Sequence, residues 1–164
     1  MGKNKDFRSL VASPLKLKMF FLKKMPMGFI SGLRVTSIDQ KHASVSVPYN
    51  YLTQNPFRSM YFAVQSMAAE LSSGVLAISE VRSASKPVSM LVLDMKAQFS
   101  KKAKTKVVFT CNDGEAIARA IQKAVETDEG QTVTITSTGV DQKGEVVSTF
   151  QFTWTFKTKS SGSK

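Results

Sequence analysis

Two hydrophobic periods alternate along the chain, and the places where one gives way to the other mark its elements. Residues 13–24, S-P-L-K-L-K-M-F-F-L-K-K, carry Ser13 in an N-cap position and Pro14 at the first helical position, and they space Leu15, Met19 and Leu22 on one face. The spacing predicts a short basic amphipathic helix that either folds onto its own domain or offers a membrane or partner surface, its shortness favouring the first. Two alternating runs, residues 32–39 and 42–48, flank Gln40-Lys41 and read as a hairpin, with Ala43, Val45 and Val47 inward and His42, Ser44 and Ser46 outward. A turn-rich linker over 49–58 leads to a helix expected over 59–78. There Met60, Ala63, Val64, Met67, Leu71, Val75 and Ile78 form one stripe. Glu70 is the only charged residue between Ser59 and Ser79, so this helix should be enclosed on most sides.

The second half repeats the strand period. Residues 88–99 and 105–111 read as a second hairpin joined by a lysine-rich turn, with Val107, Phe109 and Cys111 inward. Asp113-Gly114-Glu115 opens a helix that presents Ile117, Ala120, Ile121, Ala124 and Val125 and stops before Gly130. Two last strands, 131–140 and 144–159, are joined by Asp141-Gln142-Lys143, and Phe150, Phe152, Trp154 and Phe156 alternate onto one face. Six strands and one long apolar helix predict an α+β fold on an antiparallel sheet. It is a single domain over 1–159 with an N-terminal basic helix, followed by a polar tail at 160–164.

Composition narrows the chemistry. With one cysteine, Cys111, and one histidine, His42, the 164-residue chain has no internal disulfide and no Cys/His zinc cluster. Cys111 reads as a small core residue and His42 as a solvated one. No G-x-S-x-G elbow, Walker loop or G-x-G-x-x-G turn occurs, and no metal site is expected. The net charge of +11 is concentrated in two places: residues 1–34, with eight Lys/Arg against Asp6 alone, and the run Lys101, Lys102, Lys104, Lys106. That balance points to an anionic partner such as a polyphosphate-bearing small molecule, an acidic membrane surface or nucleic acid. The lysine run has no interleaved aromatics or glycines, which argues against specific nucleic-acid binding and ranks peripheral membrane contact below a small molecule. Residues 1–6 lack the Ser/Thr of an acylation signal, and no signal-peptide core follows, so the cytoplasm is the expected compartment.

The stretch Asn55-Pro56-Phe57-Arg58-Ser59-Met60-Tyr61-Phe62-Ala63, with Glu70 fifteen positions after Asn55, resembles the hotdog-fold acyl-CoA thioesterases, in particular their phenylacetyl-CoA thioesterase type and an uncharacterised branch of it. In that family an Asn precedes a Gly, then His-Gly-Gly at the start of the central helix, then a carboxylate on the helix. Here Arg58 takes the place of the first Gly, Tyr61 that of the His, and Phe62 and Ala63 those of the Gly pair. The resemblance implies a hotdog fold, an antiparallel sheet wrapped around the long helix. It further implies Glu70 as base or nucleophile, Asn55 as positioning group, and the Phe62 amide as oxyanion donor, with Tyr61, Arg58 and Ala63 around the substrate. It implies no cofactor beyond the coenzyme A of the substrate, and a homodimer or dimer of dimers with its sites between subunits. The chemistry is self-consistent, because thioester hydrolysis needs a base and something to hold the developing oxyanion. Unpaired N–H groups at a helix start can hold it. Because Phe62 and Ala63 replace a glycine pair, a non-catalytic acyl-CoA or fatty-acyl binding module on the same fold is the alternative expectation.

Overall fold

The structure, a computed structural model, describes residues 13–159, so the readings of residues 1–6 and of the 160–164 tail lie outside the described residues. In chain order the elements are α1 (Pro14–Lys24), α2 (Pro26–Ile30), β1 (Arg34–Ile38), β2 (Ala43–Val47), α3 (Phe62–Ser83), β3 (Val88–Phe99), β4 (Val107–Cys111), α4 (Gly114–Thr127), β5 (Gln131–Val140) and β6 (Val146–Thr158). The six strands form one antiparallel sheet in the order β1-β2-β4-β5-β6-β3. Helix α3 lies on that sheet, touching β2, β4 and β5 most, and α4 packs beside it on β5 and β6. This is the hotdog arrangement.

The inward alternation holds where the sequence marks it: Val45, Val107, Phe109, Cys111, Ile135, Phe150, Phe152, Trp154 and Phe156 are all buried. Helix α3 is buried on most sides, as its lack of charge requires, and its polar side chains are tied to the sheet. Ser72 Oγ and Ser137 Oγ lie 2.8 Å apart, Trp154 Nε1 donates to Ser73 Oγ at 3.0 Å, and Ser148 Oγ donates to Gln65 Oε1 at 2.8 Å. Each bond satisfies a group that would be costly to bury alone, and together they fix the rotation of the helix over the sheet. By length and composition α3 could cross a bilayer, yet 67% of its most apolar stretch is buried inside the fold.

Several expectations are corrected. β3 and β4 are not a hairpin: β3 pairs with β6 along its whole length, from Val88↔Thr158 to Phe99↔Ser148, while β4 sits between β2 and β5. The lysine segment is therefore a crossing, held at Ala103, whose carbonyl accepts from Met60 N–H at 2.7 Å. Helix α3 begins at Phe62 rather than Ser59 and runs on to Ser83. Residues 59–61 are held extended by backbone bonds, with Tyr61 N–H donating to the Thr53 carbonyl at 2.8 Å. Ser46 is buried, because β2 is an inner strand. His42 is partly exposed and its Nδ1 lies 2.8 Å from the Asp39 carboxylate. Finally, α1 docks through the opposite face to that expected. Leu17 and Phe21 are buried, and Leu15, Met19 and Leu22 face out.

Candidate functional site

The loop before α3 is built around one side chain. Asn55 Oδ1 accepts from Phe57 N–H (3.0 Å), Ser59 N–H (3.3 Å) and Ser59 Oγ (3.2 Å), while Arg58 N–H closes a turn onto the Asn55 carbonyl at 3.1 Å. Pro56 presets the second turn position, and the asparagine oxygen satisfies the donors that the turn leaves over. Arg58 pays for this geometry with φ = 57°, a left-handed conformation natural to glycine. The carbonyl oxygen of Asn55 is thus committed to the loop, and its amide nitrogen is the donor left to face a ligand.

Past the loop, Val64 and Gln65 N–H both return to the Tyr61 carbonyl, at 3.1 and 3.3 Å. The first-turn N–H groups of Phe62 and Ala63 accordingly have no acceptor among the described residues. They sit at the positive end of a 22-residue helix. Asn55, Tyr61 and Phe62 line a cavity of about 590 Å³ together with Phe99, Lys101 and Lys102. Lys101 is paired with Glu145, which leaves Lys102 as the cation at the cavity without an acidic partner among the described residues. Gln65 also lines the cavity and is buried, with Nε2 on the Met60 carbonyl at 3.2 Å. Sequence reasoning missed Gln65, Phe99 and the two lysines as neighbours of the helix start. Only the β3–β6 pairing brings the end of β3 there.

Arg58 is exposed, and neither it nor Ala63 lines the cavity. Tyr61 and Phe62 are both exposed and stack edge to face at 4.9 Å, so the position where the family has glycine carries an aromatic rim. Glu70 lies eight residues into α3 from Phe62, about 12 Å along the axis at the α-helical rise. It does not line the cavity of its own chain. Its carboxylate is half-buried and folds over Gly74, where an added Cβ would meet Oε1 at 3.1 Å. No hydrogen bond or ion pair holds it among the described residues, and burial alone raises its pKa from the usual 4.5. The structure therefore brings Asn55, Tyr61 and Phe62 together and holds Glu70 apart from them within one chain.

The sequence matches the family described as a domain of unknown function, DUF4442, over residues 15–156. The chain belongs to the DUF4442 family. None of the curated proteins matches it. Among solved structures it is similar to the Pseudomonas aeruginosa protein PA5026, of unknown function and described as a probable thioesterase. That pair shares 20% identity with a TM-score of 0.73, covering 90% of this chain and 97% of that one. It is similar as well to the thioesterase HI1161 of Haemophilus influenzae, at 10% identity and a TM-score of 0.62 over 89% and 91% of the two chains. The Escherichia coli PaaI protein, from the phenylacetic acid degradation operon, aligns at 11% identity and 0.63 over 94% and 96%. Hotdog folds are common to these neighbours and to this member of the DUF4442 family.

Proposed function

We propose that this DUF4442 protein is a cytoplasmic acyl-CoA thioesterase acting as a homodimer or dimer of dimers, each site formed by Asn55 and Phe62 of one protomer and Glu70 of the other. The observation that carries the reading is the Phe62 N–H: it lacks an acceptor among the described residues, stands at a helix start, and belongs to a residue lining an apolar cavity beside Lys102, which has no acidic partner among those residues. Ionised Glu70 takes a proton from water, and the resulting hydroxide adds to the thioester carbonyl. The oxyanion rests on the Phe62 N–H, with the Asn55 amide nitrogen orienting the carbonyl or the water. Collapse breaks the C–S bond, and the departing thiolate takes back the proton from Glu70. Lys102 offers a contact for a coenzyme A phosphate.

The offset of about 12 Å along α3 between Phe62 and Glu70 favours a site between protomers, with the two groups supplied by different chains. The sheet supports the same partner. β3 is an edge strand of 12 residues, and its inner-face positions Met95, Ala97 and Phe99, opposite Phe152, Phe150 and Ser148, are exposed rather than covered by α3. A long edge with apolar side chains needs a second strand. The exposed Tyr61–Phe62 pair favours one other reading, a module that binds acyl-CoA without cleaving it. Ligand binding at wild-type affinity with no thiol release from any acyl chain length would establish it.

Mixing variants tests the shared site. Asn55→Asp keeps the loop acceptor but removes the amide donor, and Glu70→Gln removes the base; each homodimer should be inactive. Refolded together in equal amounts, they should regain about a quarter of wild-type turnover, because half the dimers hold one intact site of two. No recovery would mean that each site is built from one chain. Gly74→Ala provides a second check. The three atoms nearest its methyl all belong to the movable Glu70 carboxylate, so helix propensity should raise stability by up to about 1 kcal/mol. The displaced carboxylate should slow hydrolysis by about ten- to a hundredfold, read from a thermal melt beside a thiol-release assay.

A further inference from the structure

Helix α1 carries two apolar stripes, and the fold uses one. Leu17 and Phe21 are buried, whereas Leu15, Met19 and Leu22 are 71%, 52% and 57% exposed. At about 100° per residue, these three exposed side chains fall within roughly 60° of one another. Lys18 lies on one flank of that stripe, and Lys16 and Lys23 lie on the other; all three are exposed. From residue 13 to residue 33 the chain has four lysines and no Asp or Glu. Met27, Phe29 and Ile30 of α2, the helix that follows directly and packs against α1, are exposed as well.

We propose that this face of α1, continued by α2, docks on an anionic lipid bilayer. The apolar stripe enters the boundary between headgroups and acyl chains, and the flanking lysines bury their stems beside it and reach lipid phosphates. Charge decides the occupant. A second copy seated on this face would set lysines against lysines with no carboxylate on either side. A nucleic-acid duplex would satisfy the lysines but leave the central stripe facing phosphates. A surface that is apolar in the middle and cationic at the margins matches a bilayer rich in acidic lipid. Because the apolar stripe is short, attachment depends on the charges and weakens as salt screens them. The inference does not rest on thioester chemistry.

Flotation of the full chain with vesicles tests it. The protein should bind vesicles of phosphatidylcholine mixed with phosphatidylserine, bind those of phosphatidylcholine alone much less, and detach as salt rises. Lys16→Gln and Lys23→Gln should each weaken binding about fivefold. The Met19→Ser/Leu22→Ser double variant should weaken it at least about tenfold with an unchanged melting temperature, since both side chains face out. Lys157→Gln, exposed near the end of β6 and separated in the sheet by β5, β4 and β2 from the β1 strand that follows α2, should change nothing. The proposal is overturned by absent binding to the acidic vesicles, by full binding of the Met19/Leu22 variant, or by loss of binding in the Lys157 variant. A lower melting temperature or altered oligomeric mass of the Met19/Leu22 variant would overturn it too, because protein rather than lipid would then cover the face.

Discussion

Glu70→Gln should lower thioester turnover about 100- to 10,000-fold, the span over which a positioned general base contributes, while leaving the protein as stable as the wild type or more so. Burial raises the folded-state pKa of Glu70 above its usual 4.5, with no bonding partner among the described residues to offset the cost. The fold therefore favours the protonated carboxyl. That contribution is complete below about pH 4.5 and is lost as pH rises through the raised value, so the ionised group costs stability at neutral pH. Gln carries no such cost. Thermal melts at pH 8 should place the variant level with or above wild type, and the gap should close on acidification. Wild-type kcat should fall as pH drops through the same raised pKa, since only the carboxylate accepts a proton. A variant melting several degrees early at pH 8 would instead make Glu70 a structural partner and remove it from the site.

Gly114→Ala should be among the most damaging single-methyl changes in the chain. A Cβ there would stand 2.2 Å from the Gln40 carbonyl oxygen and 2.8 Å from that of Lys41, backbone atoms on both counts. Nothing flexible can yield. The start of α4 would have to withdraw from the β1–β2 turn, breaking the 2.9 Å bond from Gly114 N–H to the Lys41 carbonyl. The Lys41–Glu115 pair beside it would be disturbed as well. Overpacking of this kind costs about 1–3 kcal/mol and sometimes more. At roughly 2–4 °C per kcal/mol for a chain of this size, a melting temperature lower by about 2–12 °C is expected by calorimetry. The contrast with Gly74→Ala isolates the cause, because both glycines are helical and only one faces backbone.

Strand β5 occupies the residues its alternation marks, and β3 spans 88–99 as expected, because strict period-two patterns end at turn residues. Alternation reports faces, however, and not neighbours. Nothing in the spacing of Met90, Val92 or Met95 says that β6 rather than β4 lies alongside, so the cavity at the end of β3 was illegible. The start of α3 was misplaced for a local reason. Ser59 is a fit N-cap by type, but its hydroxyl donates to Asn55 instead, three residues before the helix begins. On α1 both Leu15-Met19-Leu22 and Leu17-Phe21 satisfy the helical period. Periodicity cannot rank two apolar stripes on one helix. Glu70 was legible as a lone charge on an apolar helix, and Gln65 was not, because its burial depends on Ser148, 83 residues away.

Cys111, the chain's one cysteine, is fully buried in β4 between Ala43 and Ser137, and burial pushes its thiol up to about 11. Thiolate is the form that attacks electrophiles, and at pH 8 on the order of one thiol in a thousand would carry the charge even if reagent could enter. Alkylation must then wait until the helix layer lifts from this face of β4 or the strand itself opens. The unmodified protein thus carries its own clock for the opening of its helix–sheet core, and the rate at which one label is taken up counts those openings.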